Sequence, residues 1–166
     1  NGVQTNGTLL TDGHVRAFRE FNVQPGLSLD GPGDLNDIRW AGTLEATRVQ
    51  TERSERALRR LLAEGLAPSL IVTLHRGNAT AARLPRLVAW VEDLAALGLR
   101  HVNLHLLESE SDTIRERWAL TPEENAEGLF AIAALQDRTG LSVQPILDMA
   151  RLLLGTDESD GGVSCI

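Results

Sequence analysis

Four polar clusters in this chain hold side chains able to do chemistry: "QTNG" at 4–7, "SLDGPGDLND" at 28–37, "HRGN" at 75–78 and "ESESD" at 108–112. Together they offer hydroxyls, carboxamides, carboxylates and an imidazole. A metal site is one chemistry to weigh. His101 and His105, in "HVNLH", stand four residues apart, a spacing that chelates on a helix. On a strand the same interval spans about 13 Å, too far for one ion with bonds of about 2 Å. His75 and His105, on neighbouring strands, are better read as lining a cavity. Proton transfer is a second chemistry: Glu108, Glu110 and Asp112 can receive a proton, although a solvated acidic loop is the simpler account of that run. Phosphate binding finds no support, because neither GxGxxG nor GxxxxGK[ST] occurs.

The elements that position these clusters follow from periodicity. Short β-rich runs at 2–6, 23–30, 69–75, 100–107 and 141–146 alternate with longer helical patterns at 9–21, 43–65, 80–98, 120–140 and 147–155. The clearest boundary is at 121–124, where Thr121 is an N-cap, Pro122 opens the helix and Glu124 completes a capping box. Gly65, Gly98, Gly140 and Gly155 stand where left-handed C-caps belong. Strict alternation implies parallel strands with right-handed crossovers, hence an α/β fold.

Side chains alternate along each strand. One face then carries Val3, Leu27, Leu29, Leu70, Val72, Leu74, Val102 and Leu104. The other carries Gln4, Asn6, Gln24, Ser28, Asp30, Thr73, His75, Asn103, His105, Ser142 and Gln144. A fully covered parallel sheet reads apolar on both faces, so this one has a wet or ligand-lined side. With every helix on the other side the sheet curls, and the expectation is a barrel or part of one, its chemistry gathered at the carboxyl ends of the strands. The four polar clusters all fall at those ends.

"VQTNGTLLTDGHV", then "GLSLDGPGDLNDIRW", a long helix and "SLIVTLHRGN" resemble the radical S-adenosylmethionine (radical SAM) enzymes, closest to the SPASM-type maturases of peptides and proteins that include the anaerobic sulfatase-maturating enzymes. The resemblance runs from Gln4 to about Gly155. It implies a partial (β/α)6 TIM-like barrel, of which this chain carries the C-terminal portion. It also implies S-adenosyl-L-methionine and a 4Fe-4S cluster as cofactors, a 5′-deoxyadenosyl radical that abstracts hydrogen from a peptide or protein substrate, and an external electron donor.

Position by position, the resemblance assigns Gln4, Thr5, Asn6 and Gly7 to the strand-end segment near the cofactor, and Ser28 to the serine whose hydroxyl contacts it. Asp30, Gly31 and Pro32 continue that segment. Asp37 and Arg39 resemble its "HDxxR" extension, with Asn36 in place of His. An arginine after "SLDGP" grips the cofactor carboxylate in relatives, and both Arg39 and Arg48 are candidates. "TLHRGN" is similar to the family's "VVNxxN", which matches Asn78 to its last residue and sets His75 where relatives have Asn. Leu106 lies where a strand backbone meets the adenine. His75, Asn78, Asn103 and His105 are then expected in the substrate cavity.

The family's CxxxCxxC motif is absent; the chain has one cysteine, Cys165, and a cluster needs several thiolates. The expectation is an N-terminally truncated sequence: residues 1–155 as an incomplete barrel whose cluster-binding units lie upstream, and 156–166 as the start of a C-terminal extension. Cys165 is a candidate ligand of an auxiliary cluster there. As given, the chain is expected to be inactive.

Sixteen basic against 23 acidic residues, a net charge of −7, argue against phosphate-driven nucleic-acid binding. No apolar run has the roughly 18 residues of a membrane span, and a single cysteine excludes an internal disulfide framework, so a cytoplasmic location is expected. Two competing readings remain. One is a non-catalytic half-barrel that binds a peptide, which would unfold cooperatively as a fragment. The other is an unrelated α/β-barrel enzyme, protected against heat by a sugar phosphate rather than by S-adenosylmethionine.

Overall fold

In the computed structural model, which describes residues 1–146, 148, 149 and 153, five strands form one parallel sheet. They are β1 (Gly2–Thr5), β2 (Gln24–Ser28), β3 (Ser69–Leu74), β4 (His101–Leu106) and β5 (Ser142–Gln144). Their spatial order is their chain order, 1-2-3-4-5. A parallel sheet wound in one direction puts its right-handed crossovers on one side, which is the arrangement of a barrel arc and not of a doubly wound sheet. The helices are α1 (Asp12–Glu20), α2 (Leu44–Ala63), α3 (Leu84–Ala96), α4 (Asp112–Trp118), α5 (Pro122–Ala133) and α6 (Gln136–Thr139), with a 3-10 turn at Gly33–Asn36. No described helix is long and apolar enough to cross a membrane.

The register puts Leu27 beside Leu70, Leu70 beside Val102 and Val102 beside Val143. All four are fully buried and share one cluster with Leu58 and Leu61 of α2, Leu87, Val91 and Leu94 of α3 and Ile132 of α5. Each such side chain contributes about 2 kcal/mol through burial, which fixes the helices to this face. On the opposite face Gln4, Gln24, His101, His105 and Gln144 are exposed, and Ser69, Thr73, Asn103 and Ser142 are half-buried. The two-faced pattern expected from strand parity is present along β3, β5 and the first four residues of β4, but not in β1 or β2: Val3, read on the packed face, is 40% exposed, and Ser28, read on the open face, is buried.

Thr121 and Glu124 form the expected reciprocal capping box, and Gly65, Gly98 and Gly140 all have positive φ. Three differences from the sequence expectation stand out. The run 108–118 is not loop throughout: Ser111 precedes α4, whose Asp112 pairs with Arg115 and sits favourably in the first turn. The fourth helix breaks at Ala134 and Leu135 into α5 and α6. The strands also stop earlier than read, at Ser28 and Leu74, so parity no longer governs Asp30 and His75. Both are buried instead of standing on the open face. The helix expected at 147–155, the extension at 156–166 and Cys165 lie outside the described residues, apart from 148, 149 and 153.

Candidate functional site

The carboxyl ends of β1 and β2 meet α2 around a polar cavity of about 130 Å³. Asn6, Thr8, Ser28, Asn36 and Arg39 line it from the strand-end loops; Thr47, Gln50, Thr51 and Ser54 line it from α2. A helix that buries Thr47, Thr51 and Ser54 on its inner face needs somewhere to place three hydroxyls. Each donates to the carbonyl four residues back, at 2.7, 2.9 and 3.0 Å, which leaves oxygen lone pairs at the cavity wall. Thr51 Oγ1 also accepts from Asn36 Nδ2 at 2.8 Å.

Two turns shape the rim. After β1, Asn6 Oδ1 accepts from the Thr8 amide and hydroxyl at 3.1 and 2.9 Å, and Thr5 Oγ1 accepts from the Gly7 amide at 3.1 Å. Gly7 has φ +75°, and a Cβ there would stand 3.0 Å from both Ala57 and Leu27, so only glycine lets the loop lie on α2. After β2, Gly31 has φ +142° and a Cβ would sit 2.6 Å from Leu35 Cβ. This turn brings Asn36 back to accept from the Asp30 amide at 2.8 Å.

Asp30 is the hub. Its side chain is 2% exposed and receives both Arg39 Nε and Nη2 at 2.7 Å, together with the Thr73 amide at 2.8 Å. Burial opposes its ionisation, but the neighbouring His75 ring, the two Arg39 donors and charge, and the Thr73 amide outweigh it and hold the carboxyl below its ordinary value of 3.8. The paired geometry is the strong bidentate kind. It fixes the Arg39 guanidinium, whose remaining N–H groups are left for the cavity it lines. Gln4 Nε2 donates to Ser28 Oγ at 2.9 Å. Because that oxygen acts as acceptor, the Ser28 O–H proton is free to donate to a ligand.

Asn6, Ser28 and Arg39, all expected at a cofactor, are thus brought to one cavity, with Gln4 on Ser28 and Asp30 behind Arg39. Arg48 is not brought there: its guanidinium is exposed on α2 and pairs with Asp37 at 3.0 and 3.3 Å. Leu106, 43% exposed at the end of β4, does not line this cavity.

Of the residues expected in a substrate cavity, Asn103 and His105 stand on the open face. His75 and Asn78 do not line it: both are fully buried, Asn78 with its whole amide and His75 with one ring nitrogen engaged by backbone. Asn78 Oδ1 accepts from the His75 amide at 2.9 Å, and its Nδ2 donates to the carbonyls of Asp30 and Thr73 at 2.8 Å each. Asn78 therefore ties the end of β2 to the end of β3. His75 Nδ1 accepts from the Gly77 amide at 3.0 Å, so the neutral ring carries its proton on Nε2. That atom is buried without a hydrogen bond and lies 3.7 Å from Asp30 Oδ2.

Sequence reading missed the α2 hydroxyls and the clamp of Arg83 and Arg86 on Asp34, whose carboxyl is held below its ordinary value chiefly by the Arg86 hydrogen bond. The signal for the hydroxyls was present: Thr47, Thr51 and Ser54 fall at i, i+4 and i+7 on the stripe that turns apolar only from Ala57. Among the described residues no group of three His, Cys, Asp or Glu side chains could hold a metal ion.

No protein-family model matches the chain. In sequence it is 31% identical over 123 residues to the serine-type anaerobic sulfatase-maturating enzyme of Klebsiella aerogenes; the match covers 74% of this chain and 29% of that protein. The corresponding enzyme of Bacteroides thetaiotaomicron is 54% identical over a shorter stretch of 37 residues. In structure, anSMEcpe with bound AdoMet and a Cp18Cys peptide superposes with a TM-score of 0.69 at 17% identity, over 97% of this chain and 45% of that one. SuiB of Streptococcus suis superposes with a TM-score of 0.61 at 12% identity. The chain thus spans less than half the length of these relatives.

Proposed function

On the premise that this chain belongs with the anaerobic sulfatase-maturating enzymes among the radical SAM proteins, we propose that it forms the part of a peptide- or protein-modifying enzyme that holds the amino acid end of S-adenosylmethionine. The observation that carries this reading is the Arg39 fork, clamped by buried Asp30, lining one cavity with the Ser28 hydroxyl.

The donor set fits the group. A free carboxylate needs charged, directional donors, and a pre-oriented guanidinium beside a hydroxyl supplies them. Asp30 sets the plane of Arg39, Gln4 donates to Ser28 Oγ and so leaves that hydroxyl's own proton for a ligand, and Asn78 ties the two strand ends together. Ser54 Oγ, which donates to the Gln50 carbonyl, offers an acceptor for a ligand ammonium, whereas Thr47 and Thr51 already accept from the Ala41 amide and Asn36. When bound, S-adenosylmethionine supplies the 5′-deoxyadenosyl radical for hydrogen abstraction; the protein binds and orients. The open polar face, with Asn103 and His105, is then the wall along which a peptide substrate lies, and an external donor provides the electron. A 4Fe-4S cluster does not fit the residues described, which include no cysteine.

Thermal unfolding of the full-length protein tests the reading. S-adenosylmethionine at a hundredfold excess over its Kd should add about 2.7 kcal/mol of stability, and Ser28→Ala should weaken binding about tenfold. Protection by a sugar phosphate with none by S-adenosylmethionine would sink the proposal.

A further inference from the structure

Beside the cofactor cavity, the loop after β2 and the end of α4 enclose a cleft of about 310 Å³ lined by Asp37, Ile38, Trp40, Arg117 and Trp118. We propose that this cleft is a substrate-recognition site for a peptide that presents an apolar side chain next to a carboxylate-bearing one. The proposal rests on the peptide-substrate reading above and names the chemistry that reading leaves open.

Three observations point to it. The first is Trp40, which is 62% exposed on an irregular segment in a chain whose aromatic content is only 4%. An indole left in water with a second indole across the same cleft is the usual composition of a binding hot spot.

The second is that Trp118 is held in place before any ligand arrives. Its carbonyl accepts from the Arg76 amide at 2.8 Å, and its ring meets the buried His75 edge-on, with centroids 6.3 Å apart. Gly77 permits this approach, since a Cβ there would lie 2.8 Å from the His75 ring and 3.4 Å from the Trp118 ring. A pre-organised aromatic wall binds without ordering cost. Because the same His75 ring backs Asp30, the cleft is mechanically continuous with the Arg39 site.

The third is charge. Arg48 already neutralises Asp37. Arg117 lies over the Trp118 ring, its Cζ 5.0 Å from the centroid, and among the described residues it pairs with no carboxylate. Glu116, the nearest acid in sequence, does not line the cleft. With Asp37 held by Arg48, Arg117 is left as the cation of this cleft, which favours an anionic group there. Apolar walls and one free guanidinium together fit a residue pair such as Leu-Glu. A nucleotide would also stack on indole, and the test separates the two.

Fluorescein-labelled, end-capped hexapeptides Gly-Ser-Leu-Glu-Ser-Gly and Gly-Ser-Leu-Gln-Ser-Gly are titrated with the full-length protein by anisotropy, with AMP as competitor. The Glu peptide should bind about threefold to fivefold more tightly than its Gln isostere, the range of one exposed charge pair. Arg117→Gln should abolish that difference while leaving S-adenosylmethionine affinity unchanged. Trp40→Ala should weaken both peptides and Trp40→Phe should restore most of the loss. Equal affinity for the two peptides, a difference that survives Arg117→Gln, no peptide binding, or binding of AMP alone would each overturn the proposal. Failure of the wild type to bind S-adenosylmethionine would instead remove the cofactor reading, whatever the peptides do.

Discussion

Replacing Asp30 by Asn removes the hub of the site while keeping its volume. In the native protein Oδ1 accepts from Arg39 Nη2 and the Thr73 amide, and Oδ2 accepts from Arg39 Nε. An asparagine oxygen can replace Oδ1, but its NH2 then faces the Arg39 Nε–H, donor against donor. Breaking one partner of a buried pair costs about 3–5 kcal/mol. Arg39 is 33% exposed, so water relieves part of the loss and the expected value is about 3 kcal/mol. Urea unfolding followed by circular dichroism measures it, with the denaturant slope unchanged if only stability is affected. The pH dependence supplies an independent sign. Because the folded carboxyl lies below its ordinary value of 3.8, the native state stays ionised where the unfolded chain has begun to take up protons. This stabilisation is complete above the unfolded pKa and is lost as pH falls through the folded one. Asp30→Asn should therefore flatten the stability profile below about pH 4. A variant within about 0.5 kcal/mol of wild type, with an unaltered acid limb, would refute the hub.

Other substitutions have expected outcomes measurable in the same unfolding assay. Asn78→Ala removes three buried hydrogen bonds, from the His75 amide and to the Asp30 and Thr73 carbonyls, and should destabilise by about 3 kcal/mol. Gly7→Ala forces a side chain into a left-handed backbone 3.0 Å from Ala57 and Leu27 and should cost about 1–3 kcal/mol. Thr121→Ala removes the α5 cap at a cost of about 1 kcal/mol. Arg48→Gln breaks only a surface pair and should stay within about 1 kcal/mol of wild type.

The parts of the fold set by local rules were legible in the sequence. Period-two alternation separated Leu27, Leu70 and Val102 from Gln24, His101 and Gln144, because strand parity admits no other assignment once a register exists. Glycines at 65, 98 and 140 marked helix ends because left-handed caps favour them. Residues beyond the strand ends escaped this logic. Asp30, His75 and Asn78 take their positions from hydrogen bonds across 43 to 48 residues of chain or from a tight local turn, which no periodicity records. The α2 hydroxyls were passed over because Thr and Ser count as small in a search for an apolar stripe. Helix α4 was hidden by its acidic N-terminus, which also reads as a solvated loop. Arg39 and Arg48 were equivalent by composition; only the structure places one at the cavity and the other on Asp37.

A crystal structure of the full-length protein with S-adenosylmethionine bound tests the central claim most directly. The account requires the ligand carboxylate to lie within hydrogen-bond distance of both the Ser28 hydroxyl and the Arg39 guanidinium, with Asp30 still holding the far edge of that guanidinium. A carboxylate bound to Arg48, or a ligand seated away from the ends of β1 and β2, would contradict it.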